Sequence, residues 1–305
     1  MMGTHEVKNI RFIVKQSFEG YGKPEALQYE IQLLQRLAGA PHIMQLFAIR
    51  DNPLLRAGIG PVLIVENLRG GTLNRFLKQL DELQIELPNR VLWAILLCLV
   101  RAIAAMAWPD TMPKETAHPS VPKTQLAHFD MNPKNIMFGE FDPINHRKFP
   151  IVKLIDFGIT HEHPPMGNPP VEDPGVRRNL FDIGRMMHLL ITGQEPGRES
   201  ENMEVHAQGV HLWLDSYATG LPPSQPAGMN SLDPDLRDSV VYCLAANPHQ
   251  RPLLESFLPF VAEQVETRTA EVYKDFPNAA YEEDQAIVEL VDMTILVPEE
   301  PVEIL

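Results

Sequence analysis

Two stretches decide how this 305-residue chain is read: AHFDMNPKNIMF at 127–138 and VKLIDFG at 152–158. Asp130 stands five residues before Asn135 on a polar loop, and a short β-rich run separates that loop from Asp156. Oxygen ligands so spaced can converge on one cation. A carboxylate beside them can orient or deprotonate a hydroxyl. Phosphoryl transfer needs both: oxygens that hold Mg²⁺ and a carboxylate at the attacking group.

The rest of the composition narrows the field. The chain carries 26 Lys and Arg against 40 Asp and Glu, a net charge of −14. No basic stripe offsets that charge, so nucleic acid is not an expected partner. Cys98 and Cys243 are too few for a disulfide scaffold or a cysteine-rich zinc site. They suit a reducing, intracellular compartment, cytoplasmic or nuclear. The opening residues MMGTHEVKN lack the apolar core of a secretion signal. Val91–Val100, the longest apolar run, ends at Arg101 and reads as a buried helix rather than a membrane span, so no membrane partner is expected.

The patterning predicts an α+β chain with a small β-rich part before a larger helical one. Asn9–Gln16 is β-rich and carries Lys15 near its end. From Pro24 to Leu37, Leu27, Ile31, Leu34 and Leu37 recur at helical spacing. His42–Ile49 and Pro61–Glu66 read as strands. Beyond Gly70-Gly71, helices are predicted over Leu73–Gln84, Asn89–Trp108, Leu180–Thr192, Leu236–Ala246 and Pro252–Thr267. Ile136–Phe138 and Ile151–Ile155 form a β-rich block among them, and many of the 28 prolines cluster in the connecting loops. The organisation expected is residues 1–66 as a reduced N-terminal lobe, 67–265 as a helical lobe, and 266–305 as an acidic tail. Residues 266–305 hold eleven Asp and Glu against Arg268 and Lys274. Their alternating apolar and acidic character predicts a solvated segment lying loosely on the large lobe, whose removal would cost little stability.

H-x-D-x-x-x-x-N followed by D-F-G resembles the catalytic and metal-binding loops of the protein kinase family. FIVKQ resembles the strand whose lysine holds the α- and β-phosphates of ATP, which would be Lys15, and the next helix offers Glu30 as its ion-pair partner. LIVENLRGGTL resembles the hinge between kinase lobes. It implies Val65 as gatekeeper and Glu66 to Leu68 as the backbone that contacts adenine. NLFDIGRMMHLLITG resembles the central helix of the large lobe, with Asp182 bracing the catalytic loop, and CLAANPHQRP resembles the motif that carries a buried arginine, Arg251. The likeness covers about residues 6–262, and the wording is most similar to protein-kinase-like proteins found in fungi. It implies a two-lobed kinase-like fold that binds ATP and Mg²⁺. Asp130 would be the catalytic base, helped by Lys134, with Asn135 and Asp156 as metal ligands and a protein Ser/Thr hydroxyl as acceptor.

Four departures qualify that implication. Fourteen residues precede Lys15, with Gly3 the single glycine among them, so the glycine-rich phosphate-covering loop is missing. A shortened reading of the gene or a chain that turns ATP over poorly would each explain this. Asn132 stands where the family usually has a lysine, and Phe129 where an arginine often follows the histidine. No A-P-E triplet follows Gly158, so Arg251 lacks a recognisable glutamate, with Glu162 and Glu172 as candidates. Between Asp156 and Asp182 the single hydroxyl is Thr160. Two rival readings follow: a pseudokinase that binds or scaffolds without turnover, and a small-molecule kinase.

Overall fold

The computed structural model describes residues 11–16, 24–47, 60–206, 211–223 and 229–297, together with positions 49, 54 and 209. The architecture is α+β and two-lobed, with small antiparallel sheets and seven α-helices among the described residues.

In the smaller lobe, β1 (Phe12–Gln16) pairs antiparallel with β2 (Val62–Glu66), placing Lys15 opposite Leu63. The part of the predicted first strand before residue 11 lies outside the described residues. Helix α1 (Pro24–Arg36) buries Leu27, Leu33 and Leu34, and with them Glu30. The strand predicted over His42–Ile49 does not form over its described residues. Only isolated bridges, Ile43 to Leu154 and Leu46 to Val65, replace it. The reason is Gln45, whose amide donates to the carbonyls of Ala40 and Ile43 and accepts from Gly39 N–H. A side chain that satisfies local backbone groups competes with a sheet ladder.

The hinge opens into a turn where only glycine fits. A Cβ on Gly70 would stand 2.5 Å from the Cβ of Phe138, and Gly71 adopts a φ of +76°. Thr72 then caps α2 (Leu73–Leu83) by accepting from Arg75 N–H. Helix α3 (Asn89–Ala107) is the axis of the larger lobe. It is long and apolar enough to cross a membrane, yet 83% of its most apolar window is buried within the fold. It is apolar on all sides because other elements pack around it, chiefly α4 (Pro174–Thr192) and α6 (Leu254–Thr267). Three short pairs follow α3 in sequence: β3 (Leu126–Ala127) with β6 (His161–Glu162), β4 (Ile136–Phe138) with β5 (Val152–Leu154), and β7 (Glu201–Val205) with β8 (Leu212–Ser216). Helix α5 (Pro234–Cys243) is capped by Asp233, which accepts from the N–H groups of Asp235 and Leu236.

Helix α4 starts six residues before the Leu180 predicted from the pattern. Pro174 occupies its first turn, and Gly175 allows an approach to Gln125 that a Cβ would block at 2.1 Å from the carbonyl oxygen. Both residue types signal a loop in sequence, although proline at the first helical position is favourable. The β7–β8 hairpin has no counterpart in the predicted elements, since each strand is only five residues long and carries few apolar side chains on its inner face.

The C-terminal segment departs most from expectation. It is not a loose solvated tail through its described residues. Tyr273, Phe276, Ile287, Leu290, Val291 and Ile295 are buried, the last four on or just after α7 (Asp284–Thr294). The N-terminus of α3 lacks a side-chain cap of its own. The buried Glu282 carboxylate supplies one, accepting from Asn89 N–H at 2.7 Å and Arg90 N–H at 3.1 Å. A carboxylate at a helix N-terminus satisfies orphan donors and faces the positive end of the dipole. Arg90 and Lys148 both pair with Asp284, and Tyr273 donates to Asp233 at 2.6 Å. Acidic residues of this segment are therefore consumed in docking it. Truncation after residue 269 is expected to lower the melting temperature well beyond a few degrees. Leu290→Ala should cost about 2–5 kcal/mol in denaturant unfolding. An unchanged unfolding midpoint in both variants would contradict this packing.

Candidate functional site

The site is assembled around one backbone residue, Ile155. Its N–H donates to the Asn135 carbonyl at 2.9 Å, and its own carbonyl accepts from His128 Nε2 at 3.0 Å. Ile155, just after strand β5, thus ties the 127–138 segment to Asp156, the next residue.

On one side lies an ion cluster. Lys15 Nζ from β1 reaches Glu30 Oε2 of α1 at 2.9 Å and Asp156 Oδ1 at 2.8 Å. Glu30 is 1% exposed, and its other oxygen accepts from Phe157 N–H at 3.2 Å. A buried carboxylate is tolerable only when paired and hydrogen-bonded, and both conditions are met here. Burial opposes the charge on Lys15, but its bonds to Asp156 and Glu30 prevail and hold its pKa above the usual value. Asp156 mirrors this: burial alone would raise it, yet Lys15 and the Gly158 N–H hold it below the usual carboxylate range. The cluster is compact. A Cβ added to Gly158 would lie 3.3 Å from Asp156 Oδ1, 3.5 Å from Glu30 Oε2 and 3.7 Å from Lys15 Nζ.

On the other side, Asp130 has both oxygens oriented. Asn132 Nδ2 donates to Oδ1 at 2.9 Å and Asn135 Nδ2 to Oδ2 at 2.8 Å. With its side-chain nitrogen committed, Asn135 keeps its side-chain oxygen Oδ1 as a donor atom for a cation, and Asp156 keeps Oδ2. Among the described residues no hydrogen-bond donor reaches either atom. Two hard oxygens in this arrangement suit Mg²⁺ better than a softer metal. Phe129 and Asp156 both adopt positive φ, 61° and 59°, uncommon for non-glycine residues and typical of functional loops.

The other predicted residues fare unevenly. Lys134 is exposed, and its backbone N–H donates to Asn132 Oδ1 at 2.9 Å. Val65 is buried on β2 opposite Ile13. Glu66 is structurally committed: its N–H donates to Gln45, and its carboxylate accepts from Gln45 N–H and Lys153 Nζ. Glu66 and Leu68 line a cavity of about 600 Å³ whose other walls include Phe47, Phe141 and Lys153, and neither Lys15 nor Asp156 borders it.

Two assignments need correction. Asp182 does not brace the 127–135 loop, because its carboxylate pairs with Arg178 on its own helix at 2.8 Å. Asn179, one helical turn earlier, does that work. Its Oδ1 accepts from His128 N–H at 3.0 Å, and its Nδ2 donates to the Leu126 carbonyl at 2.8 Å. A neutral amide can both accept and donate, which a carboxylate cannot. Arg251 pairs with neither Glu162 nor Glu172; among the described residues it donates to the Ala245 and Arg177 carbonyls and lies 4.5 Å over the Phe181 ring. Phe129 stacks on the His161 ring at 4.2 Å, with the His163 ring at 5.5 Å.

No model of a known protein family matches the chain. Partial, distant likenesses to individual proteins do exist. Over 188 residues the chain is 27% identical to Death-associated protein kinase 2 of Mus musculus, covering 56% of this chain and 43% of that protein. Over 242 residues it is 21% identical to a putative mitogen-activated protein kinase kinase kinase 7-like protein of Drosophila melanogaster, covering 74% and 53%. A dual specificity protein kinase of Dictyostelium discoideum matches at 23% over 142 residues, 44% of this chain and 10% of that protein. The chain spans about half or less of the length of these relatives. All three are protein kinases, which supports a place in the kinase superfamily.

His128 makes the site sensitive to acid. Burial pushes its pKa from 6.5 down to about 4, so the folded chain keeps the ring neutral. Nε2 then carries the proton donated to Ile155, and Nδ1 accepts from Asp130 N–H. The unfolded chain takes up this proton below pH 6.5 and the folded chain only near 4, so stability falls with pH across that window. The loss from this residue reaches about 3 kcal/mol at the acid end. Unfolding free energies of the parent and His128→Asn, compared from pH 7 to 4, should converge as the pH falls. Parallel curves would show that His128 does not titrate this way.

Proposed function

We propose that the chain binds Mg·ATP between its two lobes and transfers the γ-phosphoryl group to a Ser or Thr hydroxyl of a protein. The observation that carries this reading is the joining, through Ile155, of the Lys15–Glu30–Asp156 cluster to the Asp130–Asn135 pair. In this reading Lys15, held by Glu30, anchors the phosphates, while Asn135 and Asp156 hold Mg²⁺. Mg²⁺ offsets charge on the transferring phosphoryl group. Asp130, fixed by Asn132 and Asn135, accepts the proton of the attacking hydroxyl as general base. Val65 and the Glu66–Leu68 backbone border the adenine, and Lys134 is the cation nearest in sequence to the base. The kinase relatives support ATP and protein substrates as the ligand classes to test first.

A second reading is a nucleotide-binding protein with weak or no turnover. Asn132 favours it, since an amide that bonds Asp130 Oδ1 stands where a cation would contact the γ-phosphate. Thermal-shift titration with ATP, with and without Mg²⁺, coupled to a phosphate-transfer assay separates the two. Asp156→Asn should abolish the Mg²⁺-dependent part of the ATP shift while the chain stays folded. Asp130→Asn should keep the shift and lose transfer. Binding in the parent without transfer would favour the second reading. An unchanged Mg·ATP shift in Asp156→Asn would remove Asp156 from the site.

Activation-loop phosphorylation is not part of the proposed mechanism. Thr160 is 1% exposed and donates to the His128 carbonyl at 3.4 Å, so it is closed to a modifying enzyme in this conformation. Phe129 offers no charge to receive a phosphate. Thr160→Ala and phosphatase-treated protein should match the untreated parent in ATP binding and turnover; a large loss in either would overturn this.

A further inference from the structure

Away from the candidate site, three residues remote in sequence bring metal-binding atoms together in the interior. His42 follows α1, Cys98 lies on α3, and His146 lies on the loop joining β4 to β5. All three are buried, and their ligand atoms lie within 4.8 Å of one another. The two imidazoles do not stack; their planes are tilted by 60°, and Nε2 faces Nε2 at 3.4 Å. That separation matches the edge of a tetrahedral site. With zinc–nitrogen bonds of about 2.0–2.1 Å, two nitrogen ligands lie about 3.3–3.4 Å apart.

The surrounding groups prepare the rings for that role. Glu115 holds His42 from behind, accepting from the backbone N–H at 2.6 Å and meeting Nδ1 at 2.5 Å. A carboxylate on the outer ring nitrogen keeps the proton on Nδ1 and turns Nε2 toward the other ligand atoms, as in carboxylate–histidine–metal arrangements. Glu115 itself adopts a φ of 61°, a conformation non-glycine residues seldom take. Charge also balances: the Cys98 thiolate and the Glu115 carboxylate together offset a divalent cation, so a loaded site would bury no net charge. A cavity of about 420 Å³ bordered by His146, Leu97 and Phe149 adjoins the His146 side of the group.

We propose that His42, Cys98 and His146 form a structural site for Zn²⁺ or a similar borderline-soft divalent ion, oriented by Glu115 and completed by water. Binding expels to solvent the Cys98 thiol proton and the proton shared by the two facing imidazole nitrogens. The site clamps the segment after α1 to the β4–β5 hairpin. Met44 N–H and the His42 carbonyl already bond Leu154 there, two residues before Asp156. This inference is independent of the phosphotransfer reading.

The test is a titration of the chelator-stripped full chain with Co²⁺ as spectroscopic probe, followed by displacement with Zn²⁺. One equivalent should give tetrahedral d–d bands with a thiolate-to-cobalt charge-transfer band, and Zn²⁺ should raise the melting temperature. Cys98→Ser should lose the charge-transfer band. His146→Gln, in an exposed loop and least able to disturb the core, should weaken binding at least about tenfold, as should Glu115→Gln with the band retained. Circular dichroism of each variant checks folding. The surface group Glu204, His206 and His211 also gathers ligand atoms within 4.8 Å, so His206→Ala and His211→Ala serve as the competing variants. Absence of binding would overturn the proposal. So would a charge-transfer band that survives Cys98→Ser in a folded protein, tight binding that persists in His146→Gln, or binding abolished by the His206 and His211 variants instead.

Discussion

The buried carboxylate of Glu30 sets the terms for the rest of the molecule. Its helix turns an apolar face inward through Leu27, Leu33 and Leu34, and Glu30 is carried in with them. Left alone, that charge would cost several kcal/mol. Lys15 and the Phe157 N–H meet the cost, and each belongs to a different part of the chain. The ion pair therefore fixes β1 against α1, and the Phe157 contact fixes both against the loop that carries Asp156. This electrostatic link adds to an apolar core that Leu33, Leu34, Ile43 and Val65 share with the large lobe.

The same economy governs the 127–135 loop. No long strand holds residues 127–135. Their order comes from paired amides and one neutral histidine: Asn179 bonds the Leu126 carbonyl and the His128 N–H, His128 bonds Ile155, and Asn132 with Asn135 hold Asp130. These bonds hold a sharply turned segment that includes a positive-φ phenylalanine. Such fully satisfied polar networks specify geometry where packing cannot.

How far the sequence reaches is clear from particular residues. Helices α2, α3 and α6 were legible because long periodic or fully apolar runs leave little choice of structure. The loop motifs were legible because chemistry restricts residue type as well as spacing. Asn179 was missed because Asp182, on the same helix, carries a charge and drew the bracing role. The C-terminal segment was misjudged because its acidic residues suggested solvation. Yet Ile287, Leu290, Val291 and Ile295 follow helical spacing, and Glu282 and Asp284 are spent on α3 and its neighbours. The His42, Cys98 and His146 group lay beyond sequence reasoning, since only the fold unites residues so widely separated.

The central claim is that Lys15 is held by Glu30 and Asp156 for the sake of a nucleotide's phosphates. Calorimetric affinities of the parent and Lys15→Met for ATP and for adenosine, with Mg²⁺ present, test this most directly. The account predicts that Lys15→Met weakens ATP binding at least about tenfold and leaves adenosine binding nearly unchanged, because a charge-assisted contact to phosphate is lost and no base contact is. Equal affinities of parent and variant for ATP, or equal losses for ATP and adenosine in a folded variant, would contradict it.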